Sequence, residues 1–179
     1  MRIALLAGFL LLFGCSGPPP TTVSDATVDA GPMTPTFSGS TVTGTGLWMT
    51  ADLTQPNAPR VHVWGQQLGA TFGYAFHVAL KGSDVAVSEV VVEPALGADA
   101  TSITGGTGTD RSFGAVRRGP AAGTTVIDTA TLLASFTVTA AQAADVRLVI
   151  ERAQVRRVDG TFVPLQVEGA TLQFPGVLR

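Results

Sequence analysis

One cysteine, two histidines and one tyrosine are all that this chain of 179 residues holds of three residue types on which much protein chemistry depends. A single cysteine allows no internal disulfide, so any folded domain must be held by its core. Cys15, His62 and His77 fall short of the three or four closely spaced ligands that a zinc site needs, and no His-Glu-x-x-His pattern occurs. Nor is there a Gly-x-Ser-x-Gly turn or another nucleophile set beside a base. Charge is scarce too: 11 Lys and Arg stand against 13 Asp and Glu, and charged residues make up 13% of the chain. Nucleic-acid binding calls for clustered positive charge, so it is not expected. No metal and no cofactor is expected, and the chain does not read as an enzyme. A pair of carboxylates brought together by folding leaves a hydrolase as a distant third reading.

Long apolar runs are also missing, with one short exception. Met1 and Arg2 precede an apolar stretch from Ile3 to Phe13, broken only by Gly8. A membrane-spanning helix needs ~20 apolar residues, so the stretch reads as a secretory leader. It ends in Leu12-Phe13-Gly14-Cys15. This resembles the lipobox of bacterial lipoproteins, in which a small residue precedes a cysteine that is acylated and becomes the new N-terminus. The resemblance implies cleavage before Cys15 and lipidation at Cys15. Ser16 stands where an Asp resembles the inner-membrane retention signal of enterobacterial lipoproteins, so an outer-membrane location in the cell envelope is expected. The domains then read as residues 1–14, a lipoprotein signal peptide; 15–45, the lipidated cysteine and a flexible tether; and 46–179, one folded domain. The tether is rich in Pro, Gly, Ser and Thr, opens with Pro18-Pro19-Pro20, and holds too little apolar surface to offset the entropy of ordering it.

Beyond the tether, about 135 residues are enough for one core and too few for two. Apolar residues recur there with period two between turn residues, and nowhere at helical spacing over four turns. The fold class is therefore all-β, a jelly-roll β-sandwich of about nine strands. Candidate strands run over 47–53, 61–66, 71–80, 85–92, 111–117, 125–127, 132–139, 146–155 and 167–174. In the clearest of them Phe72, Tyr74, Phe76, Val78 and Leu80 share one face, which must be the core face. Residues 94–109, rich in small residues, read as a surface loop, and 140–145 as one helical turn. The doublets Arg117-Arg118 and Arg156-Arg157 read as solvated charge.

From Val61 onward the order of features resembles cohesin domains, jelly-roll modules related to certain carbohydrate-binding families. Gly73-Tyr74-Ala75-Phe76-His77-Val78-Ala79-Leu80 is similar to that family's Gly-aromatic-x-aromatic strand. Val87, Val90 and Val92, then Leu132, Ala134, Phe136 and Val138, and finally Asp159-Gly160 and Gly169-Ala170-x-Leu172-x-Phe174 follow in the family's order. Where the family often continues with Tyr-Asp-Pro, this chain has Leu80-Lys81-Gly82, and no dockerin-contacting residue carries over by motif. The resemblance implies a binding module. If Val61 and Val63 face the core, His62 and Trp64 face outward. With His77 and Trp48 these form an expected ligand-binding face for an unknown protein or a glycan, since flat sugar rings stack on exposed aromatics. The leading expectation is a protein-interaction or envelope-assembly module carried by a lipoprotein, and the alternative is a carbohydrate-binding lipoprotein.

One acyl chain anchors a protein only marginally, whereas two or three on one cysteine hold it stably. Detergent phase partitioning checks the anchor: the wild-type protein enters the detergent phase and Cys15→Ser moves to the aqueous phase.

Overall fold

The computed structural model describes residues 34–82, 84–119 and 125–176, so Cys15, the leader and most of the tether lie outside the described residues. Twelve strands build two facing sheets: β1 (Thr36–Gly39), β2 (Gly46–Asp52), β3 (Arg60–Gln66), β4 (Gly69–Lys81), β5 (Val85–Val92), β6 (Ala100–Gly105), β7 (Asp110–Arg117), β8 (Thr125–Ile127), β9 (Thr131–Ala140), β10 (Ala144–Arg157), β11 (Gln166–Val167) and β12 (Ala170–Phe174). The larger sheet has the order β1-β12-β10-β4-β7-β6, with β8 paired to the start of β4, and the smaller has the order β11-β2-β3-β9-β5. The β-sandwich is as expected, with four corrections to its parts. The tether does not run to residue 45, because Thr36–Gly39 pairs with β12. Residues 94–109 are not one loop, because Ala100–Gly105 forms β6 against β7. Residues 140–145 form the end of β9, three bends and the start of β10 where a helical turn was expected. Finally, 167–174 divides, so that β11 joins the smaller sheet and β12 the larger.

Alternation sorts the side chains as pleating requires. Leu47 and Met49, Val61 and Val63, and Tyr74, Phe76, Val78 and Leu80 are all buried between the sheets. The two layers lock through aromatic rings. Phe76 lies 5.3 Å from Phe113 of its own sheet, and Phe113 lies 5.7 Å from Phe136 of the opposite one. Tyr74 joins the row at 6.1 Å from Phe76. Its hydroxyl donates across the sandwich to the Leu133 carbonyl at 3.1 Å. Burial, and then the charge of Glu93, raise the Tyr74 pKa far above the ordinary phenol value, so it stays a donor.

Four bulges break the alternation, one of them in β5, and the other three re-aim side chains. In β9 an extra residue sets Leu133 into the core and turns Leu132 outward opposite Trp64. In β4 a register shift leaves Phe72 half-buried, although it was expected in the core, and Thr71 fully buried instead. In β10, the two residues between Glu151 and Gln154 oppose the single residue between His77 and Ala75, and Arg152 takes a φ of 51°. Leu148 and Ile150 face the core before this bulge, and Val155 after it. Without the extra residue Arg156 would point inward. With it, Gln154 and Arg156 fall on the outer face.

With no disulfide among the described residues, the aromatic row carries the sandwich. Phe113→Ala is expected to cost about 3–5 kcal/mol, the range for emptying a large core site. Tyr74→Phe is expected to cost about 1 kcal/mol, the net worth of one hydrogen bond. Denaturant unfolding of both variants checks the order.

Candidate functional site

Beside the β10 bulge lies a groove of about 450 Å³ on the outer face of the larger sheet. It crosses four neighbouring strands, β10, β4, β7 and β6. The floor is built of residues too small to fill it. Gly73 and Ala75 of β4 stand beside Val116 and Gly114 of β7, and His77 beside Ser112. The glycines are there for close packing: a Cβ at Gly73 or Gly114 would come within 3.1 Å of a backbone carbonyl oxygen. Arg152, Gln154 and Arg156, all exposed, form one wall. Ile103 of β6, 57% exposed, forms the other. The Arg156 guanidinium sits 5.9 Å from the centre of the Phe72 ring, a cation–π contact that steadies that wall.

Of the four residues expected to form a ligand face, only His77 lies in this groove. Its Nδ1 is buried, 3.8 Å from Glu151 Oε2, and has no hydrogen-bond partner among the described residues. Trp48, His62 and Trp64 lie together on the outer face of the other sheet, so the four do not make one patch. Trp48 and Trp64 are opposite each other in β2 and β3, with ring centres 6.5 Å apart and planes at 17°. They present no open platform. Trp48 is only 5% exposed, and the Trp64 indole nitrogen donates to Thr50 at 2.9 Å. Gln66, which shares their face, donates to the carbonyls of Val42 and Gly44 at 2.8 and 3.2 Å, and Val42 is itself buried. The short segment before β2 is thus bound against the tryptophan end of that face.

The same face also carries a polar network. Arg60 donates to Glu89 at 3.3 Å and to Ser135 at 2.9 Å. Ser135 donates to Glu93 at 3.0 Å, and Thr137 donates to Glu89 at 2.7 Å. Glu89 holds this position with a φ of 48° in the β5 bulge. Among the described residues no three His, Cys, Asp or Glu side chains gather as a metal site. Of the two basic doublets, Arg117 is buried with its guanidinium 3.5 Å from Asp99, and Arg156 lines the groove, so neither reads as simple solvated turn charge.

His62 sits 6.3 Å from Trp64 with its Nδ1 buried and without a hydrogen-bond partner among the described residues. Loss of solvation, and then the nearby Arg60 charge, depress its pKa, outweighing the opposite pull of Asp52 and Glu93. A group whose folded pKa is depressed takes up protons more readily when unfolded. Its share of stability is full above the unfolded value of 6.5 and is lost as the pH falls toward the lower folded value. Thermal unfolding checks this: between neutral pH and mildly acid pH, His62→Gln loses less stability than the wild type.

The chain matches no protein-family model and no curated protein. Solved structures do match. The cohesin module of a family 33 glycoside hydrolase from Clostridium perfringens superposes with a TM-score of 0.54 at 10% identity, over 79% of this chain and 98% of that one. A non-cellulosomal cohesin from the archaeon Archaeoglobus fulgidus gives 0.52 at 10% identity, over 77% and 89%. A Clostridium acetobutylicum cohesin, solved as a dockerin–cohesin complex, gives 0.53 at 14% identity, over 76% and 96%. Identities this low speak to architecture alone. By its two sheets, their strand order and these likenesses, the described domain is a cohesin-like β-sandwich.

Proposed function

We propose that this chain is a non-catalytic lipoprotein of the cell envelope, attached through Cys15 and placed at the outer membrane, which docks a protein partner on the groove face of its sandwich. The observation that carries the docking reading is the groove itself. It is floored by Gly, Ala and Ser, bordered by an exposed isoleucine and set on strands rather than on loops. Rigid, half-apolar surface of this kind is what a protein interface uses at its centre. A cohesin with this fold is known in complex with a dockerin, which supports a protein over a small molecule as the class of partner. The anchor rests on the leader and on Leu12-Phe13-Gly14-Cys15. The Pro- and Gly-rich stretch that follows would hold the domain away from the lipid surface.

The glycan alternative has less to stand on. Its aromatic platform is split between the two sheets, and the tryptophan pair is largely enclosed.

Crosslinking in intact envelopes tests the docking face. A photoreactive side chain at Ile103 is expected to give a discrete protein adduct, and one at Thr50, on the opposite outer face, to give none. Ala75→Trp fills the groove from an exposed floor position and is expected to weaken the adduct about tenfold, which corresponds to about 1.4 kcal/mol of docking energy. Adducts from Thr50 alone, or an adduct at Ile103 unmoved by Ala75→Trp, would overturn the reading.

A further inference from the structure

The distribution of charge around the groove says what chemistry its occupant must have. No Asp or Glu lines it, whereas Arg152 and Arg156 stand along one wall, on a chain whose net charge is −2. The carboxylates of this outer face lie toward its other end. Glu151 is opposite His77, Asp110 is opposite Ala79, and Asp145 is further along β10. Glu151 is already shared between His77 at 3.8 Å and Lys81 at 3.9 Å. Among the described residues neither Arg152 nor Arg156 takes part in an ion pair, although the β10 bulge, at a non-glycine φ of 51°, is what sets both on this face. Facing them across the Gly73, Ala75 and Gly114 floor are Val116 and the exposed Ile103, one hydrocarbon edge.

We infer that the groove takes a protein segment that carries carboxylate and aliphatic side chains together, the carboxylates meeting Arg152 and Arg156 and the aliphatic groups covering the floor and Ile103. This rests on the docking reading above and adds to it the chemistry of the partner. Guanidinium forks pair carboxylates through two parallel hydrogen bonds, which gives geometric selectivity as well as attraction. A nucleic-acid strand is the poorer occupant, because two arginines on an acidic chain release few counterions and a phosphate backbone leaves the hydrocarbon edge uncovered. An anionic lipid surface is poorer for a related reason: a concave groove on a sheet face cannot lie flat on a bilayer.

The test uses the full chain carrying Cys15→Ser, labelled with nitrogen-15, and two synthetic peptides of equal length. One alternates Asp or Glu with Val or Leu, and the other has Lys at every acidic position. The acidic peptide is expected to shift the amide signals of Gly73, Ala75, Ile103 and Gly114 and to leave the Trp64 indole signal in place. Arg152→Gln combined with Arg156→Gln is expected to weaken that binding about tenfold, the scale of charge-assisted pairs, while amide signals of the core strands stay unmoved. The inference is overturned if the lysine peptide binds equally well, if the shifts gather on β3 and β9, or if a short DNA duplex or vesicles of phosphatidylglycerol shift the groove signals as strongly. It is also overturned if the acidic peptide shifts nothing while crosslinking at Ile103 still yields a groove-dependent protein adduct, an outcome that leaves the docking reading standing. The docking reading itself falls if no groove-dependent adduct forms.

Discussion

Phe113 touching Phe136 across the sandwich is the contact on which the rest of the domain depends. With a single cysteine, placed far ahead of the described strands, nothing covalent ties the sheets together. Packing must do so. Burying one such ring contributes about 1.5–3 kcal/mol, and an aromatic pair adds about 0.5–1.5 kcal/mol beyond its area. The row from Tyr74 through Phe76 and Phe113 to Phe136 therefore fixes β4 and β7 against β9. β4 and β7 are the floor of the groove, so the same rings that hold the core also keep that floor in register.

The two outer faces have been treated in opposite ways. On the smaller sheet Trp48 is buried, Gln66 ties down the segment at Val42 and Gly44, and the charges pair with one another through Arg60, Glu89, Glu93 and two hydroxyls. On the larger sheet, small residues occupy the central positions and leave a hollow, and two guanidiniums stand beside it without carboxylates. That contrast is the ground for proposing the β10-β4-β7-β6 side as the docking face.

How much of this was legible in the sequence follows from where alternation holds. Residues 61–66, 71–80 and 85–92 announce their strands, and 85–92 and 125–127 have the bounds observed, because period-two burial is a local property. The lipobox-like Cys15 is read from a short motif and needs no fold. Bulges defeat the same reasoning. Counting by twos puts Phe72 and Leu132 inside, yet one added residue in each neighbourhood moves Phe72 to the rim and exchanges Leu132 for Leu133. The groove was hidden for the same reason, since Arg152 and Arg156 reach one face only through a register shift that no turn residue marks. β6 escaped because Ala100–Gly105 is mostly small and polar with no buried residue, being an edge strand whose order comes from β7 rather than from its own hydrophobicity. The split of His77 from His62 and Trp64 is a matter of topology: β3 and β4 are consecutive in the chain but enter different sheets.

The central claim is that the partner seats on the open face of the larger sheet. Amide hydrogen exchange, compared between the free domain and the partner-bound protein isolated from envelopes, addresses it most directly. Added protection across 73–77, 101–105 and 112–116, with none at 48–50 and 62–64, is the predicted pattern. Protection gathered instead around Trp48, His62 and Trp64, with the groove strands unchanged, would contradict it.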